Sequence, residues 1–349
     1  MKTEARFWLG ACAAAVAAAG GQAWALTTHA AENTSQFLAL GAGGRALGMG
    51  EAYGPVAEGP EAIYWNPAGL AALKRPAFIY ARSEFMRFFH HDFAAYAQPV
   101  AALRGTLAAS FARFSQDSLP VVTNANETTG SFSPHGEAVA VAYALDLGAV
   151  GLQAPAREYF REVRTRRGYY RTRVRERESS SGRVLLGVAA KFVNETIYTR
   201  NSAAVAMDGG VLYRPAVSED LRLSLSFRNV GSRQNFGREN EDLPAEAGMG
   251  AAYGRKSKQG YLLAAFELGL PYYGNPYGKA GVEYRRYFSP GMSAALRLGY
   301  KTLTATDLNP ITGITGGIGI GYKKYTLDFG FQPMADLGET YRMSISARW

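Results

Sequence analysis

The chain has 349 residues, 47% hydrophobic and 19% charged, with 38 Lys and Arg against 29 Asp and Glu. One cysteine and four histidines rule out a disulfide framework and leave little for thiolate or metal chemistry. Much of the net charge of +9 is local: nine arginines and four glutamates crowd between Arg157 and Glu178, and the mildly basic remainder argues against nucleic acid as a partner.

Residues 1–25 read as a secretory signal. Lys2 and Arg6 form a basic start, Phe7 to Ala19 is an apolar run too short to span a bilayer, and Ala23-Trp24-Ala25 suits a small-x-small cleavage site. Leu9-Gly10-Ala11-Cys12 has the look of a lipobox, but few apolar residues precede Cys12 and the run continues past it, so lipidation is not expected. Cleavage removes Cys12 and leaves a mature chain without cysteine, compatible with an oxidising compartment.

The stretch from Phe37 to Leu73 carries glycines at 41, 43, 44, 48 and 50 and no period-two alternation. It is not a strand, and its glycines allow close backbone approach, so it folds compactly against something else. Asn66 is a good N-cap, Pro67 suits the first helical position, and Ala68 to Leu73 continue a short helix.

From Phe78 to Trp349 the pattern is alternation in units of about ten residues, separated by Gly, Pro, Asn and Asp. Leu221, Leu223, Leu225 and Phe227 alternate with Arg222, Ser224, Ser226 and Arg228; Tyr341, Met343, Ile345, Ala347 and Trp349 alternate with Arg342, Ser344, Ser346 and Arg348. A soluble sandwich shares this period. The strand length, the 39 Tyr and Phe residues often at strand ends, and a short-long alternation of connections favour a membrane barrel. Fourteen strands are expected, near 76–86, 90–101, 103–115, 136–146, 183–195, 203–213, 220–230, 245–254, 260–269, 279–287, 290–300, 313–322, 324–331 and 340–349. The expected fold is all-β: a closed antiparallel transmembrane barrel whose two chain ends lie on the periplasmic side. The arginine-rich segment 147–182 interrupts the pattern on a short-turn side. It can form a hairpin turning near Arg167-Gly168, either as a solvated insertion or as a docking surface for an acidic partner or anionic headgroups.

Catalysis finds little support. Adjacent His90 and His91 on a strand point to opposite faces, no GxSxG, HExxH or P-loop is present, and Gly41 to Ala46 satisfies GxGxxA without a βαβ context. An acidic loop at 239–242 reads as solvated rather than as a calcium site. No enzyme activity, cofactor or metal is expected. The polar face of the alternation carries Lys191, Asp208, Arg222, Arg228, Glu267, Glu283, Arg285, Arg297, Asp328, Arg342 and Arg348, charges of both signs that can pair across a lumen. In the twelfth strand Gly313, Thr315, Gly317, Gly319 and Gly321 share one face and Ile314, Ile318 and Ile320 the other; if the glycine face is the inner one it leaves room for a segment to lie against the wall, and the alternative is a strand that simply bends.

RALGMGEAY and EAIYWNPAGLA in the N-terminal stretch, with AMDGGVLYRP (205–215), FRNVG (227–231), GVEYR (281–285), RLGYK (297–301) and QPMADLGETYRMSISARW (332–349), resemble the PorV/PorQ group of outer-membrane proteins, relatives of the FadL channels. The resemblance covers nearly all of the mature chain except 147–182. It implies a signal at 1–25, a hatch within 26–75 and a fourteen-stranded outer-membrane barrel over 76–349, with the hatch folded inside. Arg45, Gly48, Met49, Gly50, Asn66, Pro67, Ala68, Gly69 and Leu70 would form the hatch or gate, seated against lumen charges such as Lys191, Asp208, Arg222, Glu267, Glu283, Arg297, Asp328 and Arg342. Tyr341 and Trp349 would mark the last strand for the barrel-assembly machinery. The partners it implies are outer-membrane lipid, that machinery, and secreted proteins or the export channel of a type IX-like secretion system. The alternative is FadL-like passage of hydrophobic ligands. An apolar pocket beside the hatch would favour passage, and a polar, filled lumen with an apolar outer rim would favour protein binding.

Overall fold

Strands that alternate with period two have one apolar and one polar face, and a sheet of them closed on itself has no open edge. A computed structural model describes residues 33–349 of the protein apart from 86–87, 123–125, 149–156, 166–167, 177–181, 217, 219, 238–239, 258, 290 and 308. The signal segment, Cys12 and Glu239 lie outside the described residues. Fourteen strands close into one antiparallel barrel. They are β1 (Ala77–Phe85), β2 (Phe89–Val100), β3 (Gly105–Gln116), β4 (His135–Asp146), β5 (Arg183–Ile197), β6 (Arg200–Arg214) and β7 (Leu221–Gly231). The second half comprises β8 (Glu246–Lys256), β9 (Gly260–Pro271), β10 (Tyr277–Ser289), β11 (Met292–Lys301), β12 (Ile314–Tyr322), β13 (Tyr325–Pro333) and β14 (Glu339–Arg348). β1 pairs with β14, Phe78 opposite Ala347 and Arg82 opposite Met343, and this seam completes the ring.

The wall is inside-out relative to a soluble sandwich. Leu296, Leu298, Leu327 and Met343 are between 55% and 65% exposed, whereas their neighbours Arg297, Asp328 and Arg342 are at most 8% exposed. A surface with this many outward aliphatic side chains is stable only against lipid, and the strand lengths of 9 to 15 residues suffice for a tilted crossing. Exposed Tyr213, Tyr253, Tyr287, Tyr322, Tyr325 and Trp349 ring one end of the barrel as an interfacial girdle.

Five of the six connections at that end are turns or short links, the exception being the 146–183 link; this is called the turn end. At the opposite, loop end the long connections carry two small hairpins, Leu119–Val122 with Thr128–Phe132 and Gln234–Asn235 with Asn240–Glu241. Two loop-end links, β1 to β2 and β5 to β6, are tight, so the short-long alternation is incomplete. The arginine-rich segment does form an antiparallel hairpin, Arg157–Thr165 with Gly168–Glu176, and it emerges from the turn end as expected.

The C-terminal strand ends at the turn end, whereas Asn33–Ser35, where the described residues begin, lie at the other; the start of the mature chain lies outside the described residues. Asn33 bridges Asp242, the Ser35 N–H donates to Glu195 at 3.0 Å, and the Ser35 hydroxyl lies 2.8 Å from Gln234, all at the loop end. Residues 33–76 therefore run the length of the lumen before entering β1 at the turn end. The sequence could not show this, because the entry side depends on partners some 160 to 200 residues away.

Candidate functional site

The lumen segment contains two short α-helices, α1 (Gly44–Gly48) and α2 (Ala62–Trp65), between 3-10 turns at Gln36–Ala39, Gly54–Val56 and Pro67–Ala72. None is long enough to be stable alone, so this hatch holds its shape through what it touches. Asn66 caps the last turn as anticipated: its side chain accepts from the Ala68 N–H at 3.1 Å, and its amide donates to Val211 on the wall at 3.4 Å. Tyr64 donates to the Leu38 carbonyl and accepts from the Gly41 N–H, both at 2.7 Å, and Trp65 donates to the Ala42 carbonyl at 2.9 Å, tying the hatch's two halves together.

Two kinds of contact seat the hatch. The first is backbone approach to glycine on the wall. α1 lies over β11 to β14; a Cβ on Gly317 would come within 2.9 Å of the Gly48 Cα, and one on Gly299 would overlap the backbone at Met49 and Gly50. The glycine face of β12 is thus the inner one, and Ile314, Ile318 and Ile320 face outward. Thr315 on the same inner face accepts from the Gly50 N–H at 2.9 Å.

The second is ionic. Arg45, 6% exposed, grips Glu283 on β10 with two nitrogens (2.8 and 3.1 Å) and donates to Glu58 of the hatch at 2.6 Å. Glu283 also accepts from Arg297 at 2.7 Å and Arg285 at 3.2 Å, and Arg297 approaches Asp328 at 2.8 Å. Glu51 sits between Lys301 (2.7 Å) and Arg342 (3.2 Å), and Arg342 also donates to the Leu40 carbonyl (2.6 Å) and the Ser83 hydroxyl (3.0 Å). Glu267 accepts from the Gly54 N–H at 2.6 Å and pairs with Lys279 at 2.9 Å. Arg228 lies over the Tyr64 and Trp65 rings at 5.8 and 5.3 Å and pairs with Glu246. Lys191 bonds Asp208 at 2.6 Å within the wall and lies over the Tyr64 ring. Each ion is desolvated but lies within ion-pair distance of a group of opposite charge, the condition under which buried charge is tolerated.

Of the residues read from sequence, Arg45, Gly48, Met49, Gly50 and Asn66–Leu70 all lie buried against the wall. Glu267, Glu283 and Arg342 meet the hatch directly, while Arg297 and Asp328 complete the cluster behind Glu283. Arg222 does not join it: half-buried near the turn end, it donates to the Tyr261 hydroxyl at 3.2 Å. Tyr341 packs on Phe329 and Phe331, and Trp349 lies beside Tyr96. Lys279 and Lys301 were missed, although they share the inward parity of Glu283 and Arg297. The hatch acids Glu51, Glu58 and Glu61 were missed for want of any local pattern.

The hatch acids respond to their surroundings in opposite ways. Burial pushes Glu51 up, but Lys301 and Arg342 outweigh it and hold the carboxyl at about 2. Glu58, likewise buried, is held at about 2, chiefly by Arg45. Glu61 is raised to about 7 by burial, only partly offset by the hydrogen bond it accepts from Tyr53 and by Arg45. A docked hatch that binds a proton more tightly than the released one loses stability as pH rises between 4.5 and about 7. Glu51 and Glu58 do the reverse, and their contribution is lost as pH falls from 4.5 towards 2. Hatch retention, followed as the lack of ion conductance of the intact barrel in planar bilayers, should therefore be greatest near pH 4.5. Glu61→Gln should flatten the limb above that pH; an unchanged limb would remove Glu61 from the account.

Together the fold and its contents define a class: a membrane-spanning, fourteen-stranded antiparallel barrel plugged by its own N-terminal segment. Among solved structures, the toluene transporter TbuX of Ralstonia pickettii is similar, with a TM-score of 0.50 and 12% identity over 88% of this chain and 98% of that one. The P. putida toluene transporter TodX is also similar, with a TM-score of 0.50 and 9% identity over 88% and 99%. At such identities the likeness establishes the fold. No protein-family model matches the chain, and no curated protein matches it, so the PorV/PorQ resemblance gains no support from these comparisons.

Proposed function

We propose that the protein is an outer-membrane passage for small hydrophobic compounds, with the hatch as its closure. The observation that carries this reading is a complete plug held by ion pairs and backbone packing, with no covalent tie among the described residues except at β1. Such contacts can be exchanged without breaking the barrel. The fold shared with two toluene transporters supports hydrophobic compounds as the cargo.

A reversible lock tests it. A Cβ on Gly330 would stand 2.9 Å from the Leu47 Cβ and 2.6 Å from the Gly44 carbonyl oxygen, so Leu47→Cys with Gly330→Cys forms a disulfide only after α1 shifts by about 1 Å, and the reduced double variant is the control for that shift; the chain's one other cysteine is Cys12, in the expected signal. Cells producing the locked variant should stop taking up a labelled monoaromatic hydrocarbon and recover on reduction. Equal uptake in both states would show that the hatch is no gate.

A second reading has its own observation. Phe88, Tyr198, Tyr272 and Ile311 at the loop end are 54% to 72% exposed, an apolar rim over a filled, polar lumen. That arrangement suits the holding of secreted proteins at the mouth. Co-purification of a secreted protein, abolished by serine at these four positions while hydrocarbon uptake is absent from the start, would favour it.

A further inference from the structure

Below the hatch, at the turn end, lies a cavity of 620 Å³ that the passage reading does not use. Arg45, Glu58 and Glu61 form its roof; β1, β10 to β14 and the β12–β13 turn form its walls. Its three carboxylates are already engaged: Glu58 by Arg45, Glu61 by Tyr53, and Asp328 by Arg297. Of its cations, Arg45 and Arg285 pair with Glu283, and Lys323 and Lys324 lie over the Tyr322 and Tyr325 rings, both at 5.2 Å. Among the described residues Arg75, Lys323, Lys324 and Arg348, which reach the cavity from three separate parts of the wall, have no carboxylate within ion-pair distance. Like charges gathered around a concavity repel one another, and low-dielectric walls focus their field into it.

We infer that this vestibule is a binding site for a small anion bearing two or more phosphate or carboxylate groups. The volume lies within the range of small-molecule sites, roughly 300 to 1,000 Å³. A monoanion can meet only one or two of four cations spread over three parts of the wall; a polyanion spans them, and guanidinium groups at Arg75 and Arg348 can bind phosphate or carboxylate with paired donors. A Cβ on Gly59 would stand 3.3 Å from the Arg348 guanidinium, so the roof meets that cation closely. The inference stands whether or not the hatch opens.

Titration calorimetry of the full barrel with inorganic pyrophosphate and with citrate tests it, first in lipid-free detergent and then in nanodiscs. Saturable binding that weakens with salt is expected. The triple variant Lys323→Gln, Lys324→Gln, Arg348→Gln should lose roughly tenfold or more in affinity. Arg113→Gln, paired with Glu137 far away at the loop end, should lose nothing. Equal pyrophosphate affinity in phosphatidylcholine and phosphatidylglycerol nanodiscs would assign the site to a free solute; weaker affinity in phosphatidylglycerol would assign it to the lipid headgroup, and either result supports the site. No saturable heat at millimolar pyrophosphate or citrate would overturn it. So would full affinity in the triple variant once its heat-modifiable gel shift shows a folded barrel.

Discussion

Replacing Gly299 by leucine should open the barrel. The new Cβ would overlap the hatch backbone at Met49 and Gly50, and β11 cannot retreat because it is paired on both sides, to β10 and to β12. Forced overpacking costs about 1 to 3 kcal/mol when side chains can adjust, and more when, as here, backbone meets backbone. The hatch is the part that can move. Purified Gly299→Leu protein in planar bilayers should show stepwise ion conductance at least about tenfold above a closed wild type, as undocking favoured by 1.4 kcal/mol or more requires. Gly316→Leu is the matched control, because nothing lies within 4 Å of a Cβ there. A milder form, Gly317→Ala against the Gly48 Cα, should give intermittent openings if the leucine variant fails to assemble. A folded, heat-modifiable Gly299→Leu barrel that stays closed would mean that the hatch can yield without leaving.

Arg342→Met should loosen the hatch from the other side. Arg342 is 1% exposed and joins three elements, β14 through its own backbone, β1 through Ser83, and the hatch through Leu40 and Glu51. Methionine keeps much of the volume but leaves Glu51 buried with Lys301 alone and the Leu40 carbonyl unmet. Removing one partner from a buried pair costs about 3 to 5 kcal/mol, chiefly the desolvation of what remains. Tryptic cleavage at Arg45 should rise at least about a hundredfold when opening precedes cleavage. Adding Glu51→Gln should recover part of the loss, since a neutral amide is cheaper to bury than an unbalanced carboxylate. An unchanged cleavage rate in Arg342→Met would place hatch retention in the glycine contacts alone.

These two variants divide the seat into shape and charge, and the two were unequally visible in the chain. Shape left a trace: the Gly-Ile alternation of β12 marked an inner face against which something could lie, and Gly48 rests there. Half of the charge did too, since Glu283, Arg297 and Arg342 occupy inward positions of strands whose register is legible from the period. The other half did not. Glu51, Glu58 and Glu61 sit in a segment with no period at all, and Arg222, inward by parity, stops at Tyr261 because its level along the axis is below the hatch's main ion pairs.

By itself the sequence determined the wall: period-two alternation is a property of neighbouring residues, so fourteen strands, their outward and inward faces and the turning of the arginine-rich hairpin could all be read from it. Only the tertiary structure decided that the hatch starts at the loop end, that Arg45 chooses Glu283 across 238 residues, and that Glu51 is shared between Lys301 and Arg342. The reason is that alternation says which side of a strand a residue faces but not how far along the barrel it stands or what faces it across the lumen. That depends on how the strands are staggered and on the path of a segment whose conformation comes from its contacts rather than from its own sequence.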